Sequence, residues 1–298
     1  MFIQYTSLII PTKDRPKKLK NLIESMENLI FEINEIIIVD SSNKENIEFN
    51  KNFFSKFKNA KLIESIPSTS KQRNLGIENC NKENKFLMFC DDDIVFEKNS
   101  INIMSDFMRS NENYMGYGFN LIEKNENSFF ERLKKHKFLE KNGFYNSQPG
   151  VICENGWHTK NSNLVENLET SWLSTQACIY RSTVFNDSKF DTSLGNYSYL
   201  EDLFFSFNVS KKGKLFICSQ AKYNHGNSIN RTSFTFGLQE TINRHKFVKM
   251  NNFNIKKFYL SILIKTLFSL LNVLIGKINF FPKFVGNFFG IFLCILKK

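Results

Sequence analysis

The chain has 298 residues, 42% of them hydrophobic and 15% aromatic with 33 phenylalanines, which is core material for one large domain or a domain with an appendage and excludes a disordered chain. Its net charge of +11 is localised: no Asp or Glu follows Glu240, whereas ten Lys and Arg do, leaving 30 basic against 29 acidic residues before that point. A nucleic-acid binder spreads basic residues over a folded face with aromatic platforms, so no nucleic acid is expected, and a basic tail rich in Phe, Leu and Ile points to an anionic membrane surface instead.

Residues 6–10 (TSLII) form an apolar strand ended by Pro11-Thr12. No basic segment precedes this run, so the start reads as a first strand and not as a signal peptide. Pro16 suits the first turn of a helix, and Leu19, Leu22, Ile23, Met26 and Ile30 follow on one face. Ile36–Val39 is a second buried strand, closed by the turn formers Asp40-Ser41-Ser42-Asn43. A helical stretch over 46–57, a strand over Lys61–Ile66 and a short helix through 71–76, capped by Ser70, lead to the strand Phe86–Cys90. Strand–helix alternation at this spacing predicts a parallel α/β sheet with right-handed crossovers and a ligand site beyond the carboxyl ends of its strands. The six cysteines have no CxxC pair, which fits a reducing, cytoplasmic compartment better than a disulfide framework or structural zinc.

Asp91-Asp92-Asp93 follow the Phe86–Cys90 strand without a break. In an extended backbone residues i and i+2 point the same way, so Asp91 and Asp93 face one site. Adjacent anions beside a dry core raise one another's pKa unless a cation is present. Oxygen-rich sites of this kind suit Mg²⁺ or Mn²⁺, which suit phosphate oxygens; taken alone, the triplet also reads as an Asp-rich turn.

The set PTKDR (11–15), VDSSN (39–43), KQRNLG (71–76) and FCDDD (89–93) resembles the nucleotide-sugar-binding half of family 2 glycosyltransferases, which have the GT-A fold. The absence of a Gly-rich phosphate loop argues against a Rossmann dehydrogenase or a P-loop enzyme. The resemblance implies that Thr12 and Arg15 lie by the nucleotide, that Asp40 bonds the base, and that Arg73 approaches the diphosphate or base edge. It makes Asp91 and Asp93 the DxD pair, with Asp93 the first choice for the Mg²⁺ or Mn²⁺ ligand, Asp91 near the ribose, and Asp92 with them at the nucleotide.

Residues 98–115 read as a helix, and from Gly116 to about Glu169 the sequence is polar and irregular apart from a basic helix over Phe129–Leu139. His136 and His158 read as surface residues. In the family this region helps form the acceptor pocket, where Trp157 and Trp172 are candidates for stacking on sugar rings; for Trp172, which begins the run Trp172-Leu173, core packing is at least as good a reading. TSWLSTQACIYR (170–181) resembles the family's W-L-S-G…R stretch, although Thr175 and Gln176 depart from its small residues. Phe190-Asp191 and Glu201-Asp202 match the pattern that precedes the catalytic-base helix, here Leu203–Val209 with a stop at Lys211-Lys212-Gly213. The aligned peptide dipoles of a helix N-terminus favour the Asp202 anion, so Asp202 can accept a proton from an acceptor hydroxyl, with Glu201 beside it to bind the acceptor. After a strand over Lys214–Ser219, His225 falls where the family often places a histidine near the metal.

In the tail, Phe258–Ile275 is strongly apolar with one polar stripe of Ser261, Lys265, Ser269 and Asn272. A central Lys costs about 2.5–3.5 kcal/mol on insertion against roughly 0.3–0.6 kcal/mol gained per apolar residue, so lying in the membrane interface with Lys265 turned outward is favoured over spanning. Phe284–Leu296 is a second apolar segment. Packing of these helices on the domain, or on a second subunit to give a homodimer through the tail, is the competing reading.

The sequence thus predicts a GT-A-like α/β domain over 1–240, with a mostly parallel sheet flanked by helices, a nucleotide-sugar half (1–115) and an acceptor half (116–240). A basic, amphipathic helical tail over 241–298 would hold it peripherally on the inner face of the cell membrane. The expected reaction is metal-assisted, inverting transfer from a nucleoside-diphosphate sugar, UDP-linked by default, to a glycan or lipid-linked acceptor. A polyprenyl-phosphate sugar synthase, a nucleotidyltransferase and a catalytically degenerate membrane scaffold are the alternatives.

Overall fold

The computed structural model describes residues 2–123, 137–195, 197–226 and 231–296. Four strands make the parallel half of one sheet: β1 (Thr6–Thr12), β2 (Glu35–Asp40), β3 (Ala60–Glu64) and β4 (Phe86–Cys90), in the order β3-β2-β1-β4. Helices α1 (Pro16–Ser25), α2 (Lys44–Phe54) and α3 (Thr69–Glu78) connect them. Alternation along the strands fills two cores. Leu8, Ile10, Ile36 and Ile38 pack with Leu19 and Leu22 of α1, while Ile9, Ile37 and Val39 pack with Ile77 of α3. The predicted first helix is shorter than its apolar spacing suggests. It ends at Ser25, and Glu27 adopts φ +53° at the start of a 3₁₀ turn. Ser68, not Ser70, caps α3.

The second half of the sheet is mixed. β5 (Ile94–Phe96) follows β4, α4 (Ser100–Ser110) crosses back, and β6 (Gly116–Ile122) enters the middle of the sheet where an irregular segment was expected. Gly116 and Gly118 hide this strand from a pattern reading, yet they are what lets it fit. A Cβ on Gly116 would stand 2.8 Å from the Tyr180 ring, and one on Gly118 2.8 Å from Leu173. β7 (Leu168–Thr170) lies against β9 (Leu215–His225), and β8 (Ala177–Arg181) sits antiparallel between β4 and β6. β9 runs unbroken to His225, past the expected strand end at Ser219.

The chain forms two compact units, and they do not divide at residue 240 as expected. One comprises Met1–Lys124 with Asn161–Gly226, and the other Asn125–Lys160 with Asn227–Lys298. The second unit contains α5 (Lys137–Lys141) and the helices α7 (Phe234–Met250), α8 (Ile255–Leu274) and α9 (Phe281–Leu296), with α6 (Glu201–Ser210) belonging to the first. The segment before residue 161 joins the helices because its polar groups bond to them: Arg244 Nη1 donates to Gly156 O at 2.6 Å and Asn155 Nδ2 to Ser261 Oγ at 2.8 Å. Of the expected basic helix over Phe129–Leu139, residues 129–136, His136 included, lie outside the described residues. Ile255–Leu274 and Ile278–Leu296 are each long and apolar enough to cross a membrane, and only 22% and 28% buried.

Candidate active site

Three strand ends and one helix start build the site. At the end of β1, Thr12 Oγ1 donates to Asp92 Oδ2 at 2.7 Å. Arg15, just before α1, reaches both Asp92 (3.2 Å) and Asp93 (3.0 Å) through Nη1, and Lys18 from the first turn of α1 adds a bond to Asp93 at 3.3 Å. From α3, Gln72 donates to the carbonyls of Thr12 and Val39 at 3.0 and 2.8 Å, which locks that helix across the ends of β1 and β2.

His225 arrives by strand register. β5 pairs antiparallel with the end of β9 so that Ile94 opposes His225, which sets the imidazole beside the residue preceding Ile94. His225 Nε2 lies 3.1 Å from Asp93 Oδ1, and Gly226 N donates to Asp93 O at 2.9 Å. Burial disfavours the Asp93 anion, but the His225 hydrogen bond and the charges of His225, Arg15 and Lys18 prevail and hold its pKa down to about 2. Reciprocally, Asp93 raises the pKa of His225. Asp92 has the opposite balance: it is buried with weaker support, and its pKa rises to about 6.

Arg73 is the hub. It is 1% exposed, donates through Nη2 to Asp91 Oδ1 at 2.6 Å, and pairs through Nη1 with Glu201 Oε1. Three carboxylates, Asp91, Glu201 and Asp202, act on this one guanidinium. One cation cannot neutralise them all in a dry site. Burial, reinforced by Asp202 and Asp91, overrides the pull of Arg73 and lifts Glu201 to about 8, and its Oε2 is buried with no hydrogen-bond partner. Asp202, next in the chain, opens the first turn of α6, where backbone N–H groups and the helix dipole favour an anion. Its Oδ1 accepts from the Leu203 N–H at 2.8 Å. The chain reaches this turn under strain, with Ser198 at φ +48° and the buried Leu200 at φ +76°. Asn74 braces the approach by exchanging two 2.9 Å bonds with the Phe190 backbone.

Several expected roles are reassigned by this geometry. Arg73 is sealed between two carboxylates and does not present a free guanidinium to a diphosphate. Asp40 is fully buried, with Oδ2 taking Asn50 Nδ2 at 2.7 Å and Oδ1 the Ser42 N–H at 2.9 Å, so it secures the turn after β2 instead of facing a base. Trp172 is buried, and Asn161 Nδ2 donates to its carbonyl at 2.9 Å, which settles it in the core. Trp157 belongs to the helical unit, where Phe258 stacks on it and the Arg244 guanidinium lies 4.5 Å from its ring centre, so the ring packs against that unit's own helices. His158 is half-buried in that unit and not a surface residue, and burial with Arg244 lowers its pKa. Lys18 and Gln72, which brace Asp93 and the ends of β1 and β2, are contacts that sequence reasoning missed, as is Asn50, which secures Asp40. A groove of about 630 Å³ lined by Ser65, Lys71, Asn74 and Asp191 lies along the face of α3 opposite Arg73 and contains none of the acidic cluster.

Among the described residues no group of three His, Cys, Asp or Glu side chains is gathered as a metal cage. Mg²⁺ and Mn²⁺ do not require one beside phosphates, since one or two carboxylates with substrate oxygens and water complete the shell. Asp93 and His225, already in contact, are two such donors and would be the ones to meet a divalent cation.

The sequence matches the family described as glycosyl transferase family 2 over residues 7–186, which contain the four motifs and run from the second residue of β1 past the end of β8. The chain belongs to this family. It is therefore a glycosyltransferase, and solved structures agree on the fold. A Staphylococcus aureus TarS fragment, residues 1–349, superposes with a TM-score of 0.55 at 16% identity, over 86% of this chain and 71% of that one. GalNAc-T7, solved with UDP, GalNAc and Mn²⁺, gives a TM-score of 0.57 at 12% identity, over 76% of this chain and 44% of that one. The TarS fragment with UDP-GlcNAc gives 0.54 at 15% identity, over 82% and 65%. Against the longer TarS structure, the glycosyltransferase spans 42% of the length. No protein of curated function matches its sequence.

Proposed function

We propose that this enzyme transfers a sugar with inversion from a nucleoside-diphosphate sugar, UDP-linked by default, to a hydroxyl of a surface glycan or its lipid-linked precursor. The observation that carries the reading is the Arg73 bridge, which ties the acidic strand end at Asp91 to Glu201 and thereby seats Asp202 at the start of α6. The Asp202 carboxylate takes the proton of the acceptor hydroxyl as that oxygen attacks the anomeric carbon and the nucleoside diphosphate departs. Glu201, beside Asp202 and with one oxygen outside the Arg73 bridge, would orient the acceptor. Arg15 and Lys18, both partly exposed, are the cations within reach of a diphosphate at the acidic end. Asp93 and His225, with Asp91, would hold a divalent cation, which supplies neutralisation of charge on the leaving diphosphate.

Support for the donor class comes from the TarS structure with UDP-GlcNAc and from GalNAc-T7 with UDP and Mn²⁺. The apolar, basic C-terminal helices support a peripheral position on the inner membrane face, within reach of a lipid-linked acceptor. A thermal-shift screen of nucleoside-diphosphate sugars with and without Mn²⁺ tests the donor: one of them should stabilise the enzyme more with the metal than without it. No stabilisation by any of them would leave the degenerate-scaffold alternative.

A further inference from the structure

The C-terminal helices are built with their polarity reversed. On α8 the polar stripe faces inward: Ser261, Thr266 and Ser269 are buried, and Lys265 Nζ bonds Glu240 Oε1 of α7 at 2.7 Å. The expectation of an outward Lys265 is thus overturned. Leu263, Leu267, Leu271 and Leu274 form the opposite stripe, and Leu267 is 57% exposed. On α9, Asn287 is fully buried whereas Phe288, Phe292 and Ile295 stand exposed. A helix that meets water does the reverse.

The contacts inside the unit follow the same logic. Gly286 and Gly290, four apart on α9, close against α7, where a Cβ on Gly286 would collide with Phe234 O and one on Gly290 would lie 2.7 Å from Thr241 Cβ. Between them Asn287 Nδ2 donates to Gly237 O (3.0 Å), Thr241 Oγ1 (3.1 Å) and Glu240 Oε2 (3.3 Å), and Lys283 adds a second ion pair to Glu240 at 3.2 Å. Close approach over small residues with polar bonds across the interface is how helices associate where there is no hydrophobic drive between them.

Resting on the membrane reading above, we propose that the outer faces of α8 and α9 form a single in-plane, lipid-contacting surface of the helical unit. Charge decides for anionic lipid over a second copy. Residues 241–298 carry ten basic residues and no acid; Lys257, Lys265 and Lys283 pair with Glu154 and Glu240, and the exposed Lys256 at the start of α8 and Lys277 between the helices flank the apolar faces, so two such surfaces would repel each other. Spanning is disfavoured because α7 packs along α9 and would carry Arg244, Lys246 and Lys249 into hydrocarbon with it. The surface enters the headgroup and upper acyl region, to a depth of about 5–10 Å.

The test uses the full chain, floated with vesicles of phosphatidylcholine alone or mixed with phosphatidylglycerol. The parent should float with the mixed vesicles, and Leu267→Asn/Leu271→Asn/Phe288→Asn/Phe292→Asn should lose at least tenfold of that partitioning while keeping its thermal midpoint. A control with Phe31→Asn and Val165→Asn, exposed apolar residues elsewhere, should float like the parent. If the fourfold variant floats as well as the parent, this face is not the contact and the membrane reading rests on another surface. If the parent does not float and light scattering finds a dimer, both readings fall. The emission of Leu267→Trp, corrected for the native tryptophans, should be quenched more by lipids brominated high on the acyl chain than at its end, and the reverse order would overturn the in-plane arrangement.

Discussion

Arg73 and Glu201, 128 positions apart, form a buried ion pair that joins α3 to the start of α6. Because Arg73 also holds Asp91, its removal leaves the buried Glu201 and the partly exposed Asp91 without their cation. Breaking a buried pair from one side costs about 3–5 kcal/mol. Arg73→Ala should lower the unfolding free energy by that order in urea, and Arg73→Met with Glu201→Gln should recover part of it. An Arg73→Ala midpoint equal to the parent's would show that the bridge is not holding the site together.

Stability against pH reports the same cluster. The folded-state pKa of Glu201, about 8, lies above its ordinary value of 4.5, so the folded form binds that proton more tightly. This contribution is complete below about pH 4.5 and is lost as pH rises towards 8. Glu201→Gln should therefore flatten the decline of the thermal midpoint across that window. Asp93, depressed to about 2 from 3.8, contributes in the other sense, with stability present above 3.8 and lost as pH falls through 2. Asp93→Asn should thus flatten the acid limb only.

Metal and nucleotide should act together at Asp93 and His225. In the parent, UDP with Mn²⁺ should raise the thermal midpoint beyond the sum of either alone. A ligand at a hundredfold its Kd contributes about 2.7 kcal/mol. Asp93→Asn and His225→Ala should each remove the Mn²⁺-dependent part, and a UDP shift unchanged by chelator would count against the metal site.

Gly116 and Gly118 make a purely structural prediction. Alanine at either would overpack β6 against Tyr180, Leu215 or Leu173, for a loss of about 1–3 kcal/mol in urea unfolding. Equal stability would mean that β6 is not where the sheet places it.

These glycines also explain what could be read in advance. β1 to β4 were legible because each is a mainly apolar run closed by turn or acidic residues, and Asp91–Asp93, Glu201-Asp202 and His225 stood out as candidates because their order resembles a family pattern. β6 was not, since its key residues have no side chain to form a pattern. Lys18 and Asn50 are ordinary helix residues until α1 and α2 fold beside the strand ends. Trp157 was a candidate sugar platform, and Trp172 a candidate for that or for the core, because residue type does not encode burial. The polar stripe of α8 was visible, but its direction was not. The one available signal was Glu240, the last acid before ten basic residues, and it turns out to be the partner of Lys265 and Lys283.

The proposed division of labour between a leaving-group end at Asp91–Asp93 and a proton acceptor at Asp202 is tested most directly by Asp202→Asn. Single-turnover transfer to a glycan acceptor should fall by about 10²–10⁴, the usual worth of a general base, with UDP affinity in Mn²⁺ unchanged. Transfer at the parent rate would contradict the account and point to an acceptor, such as a polyprenyl phosphate, that needs no base.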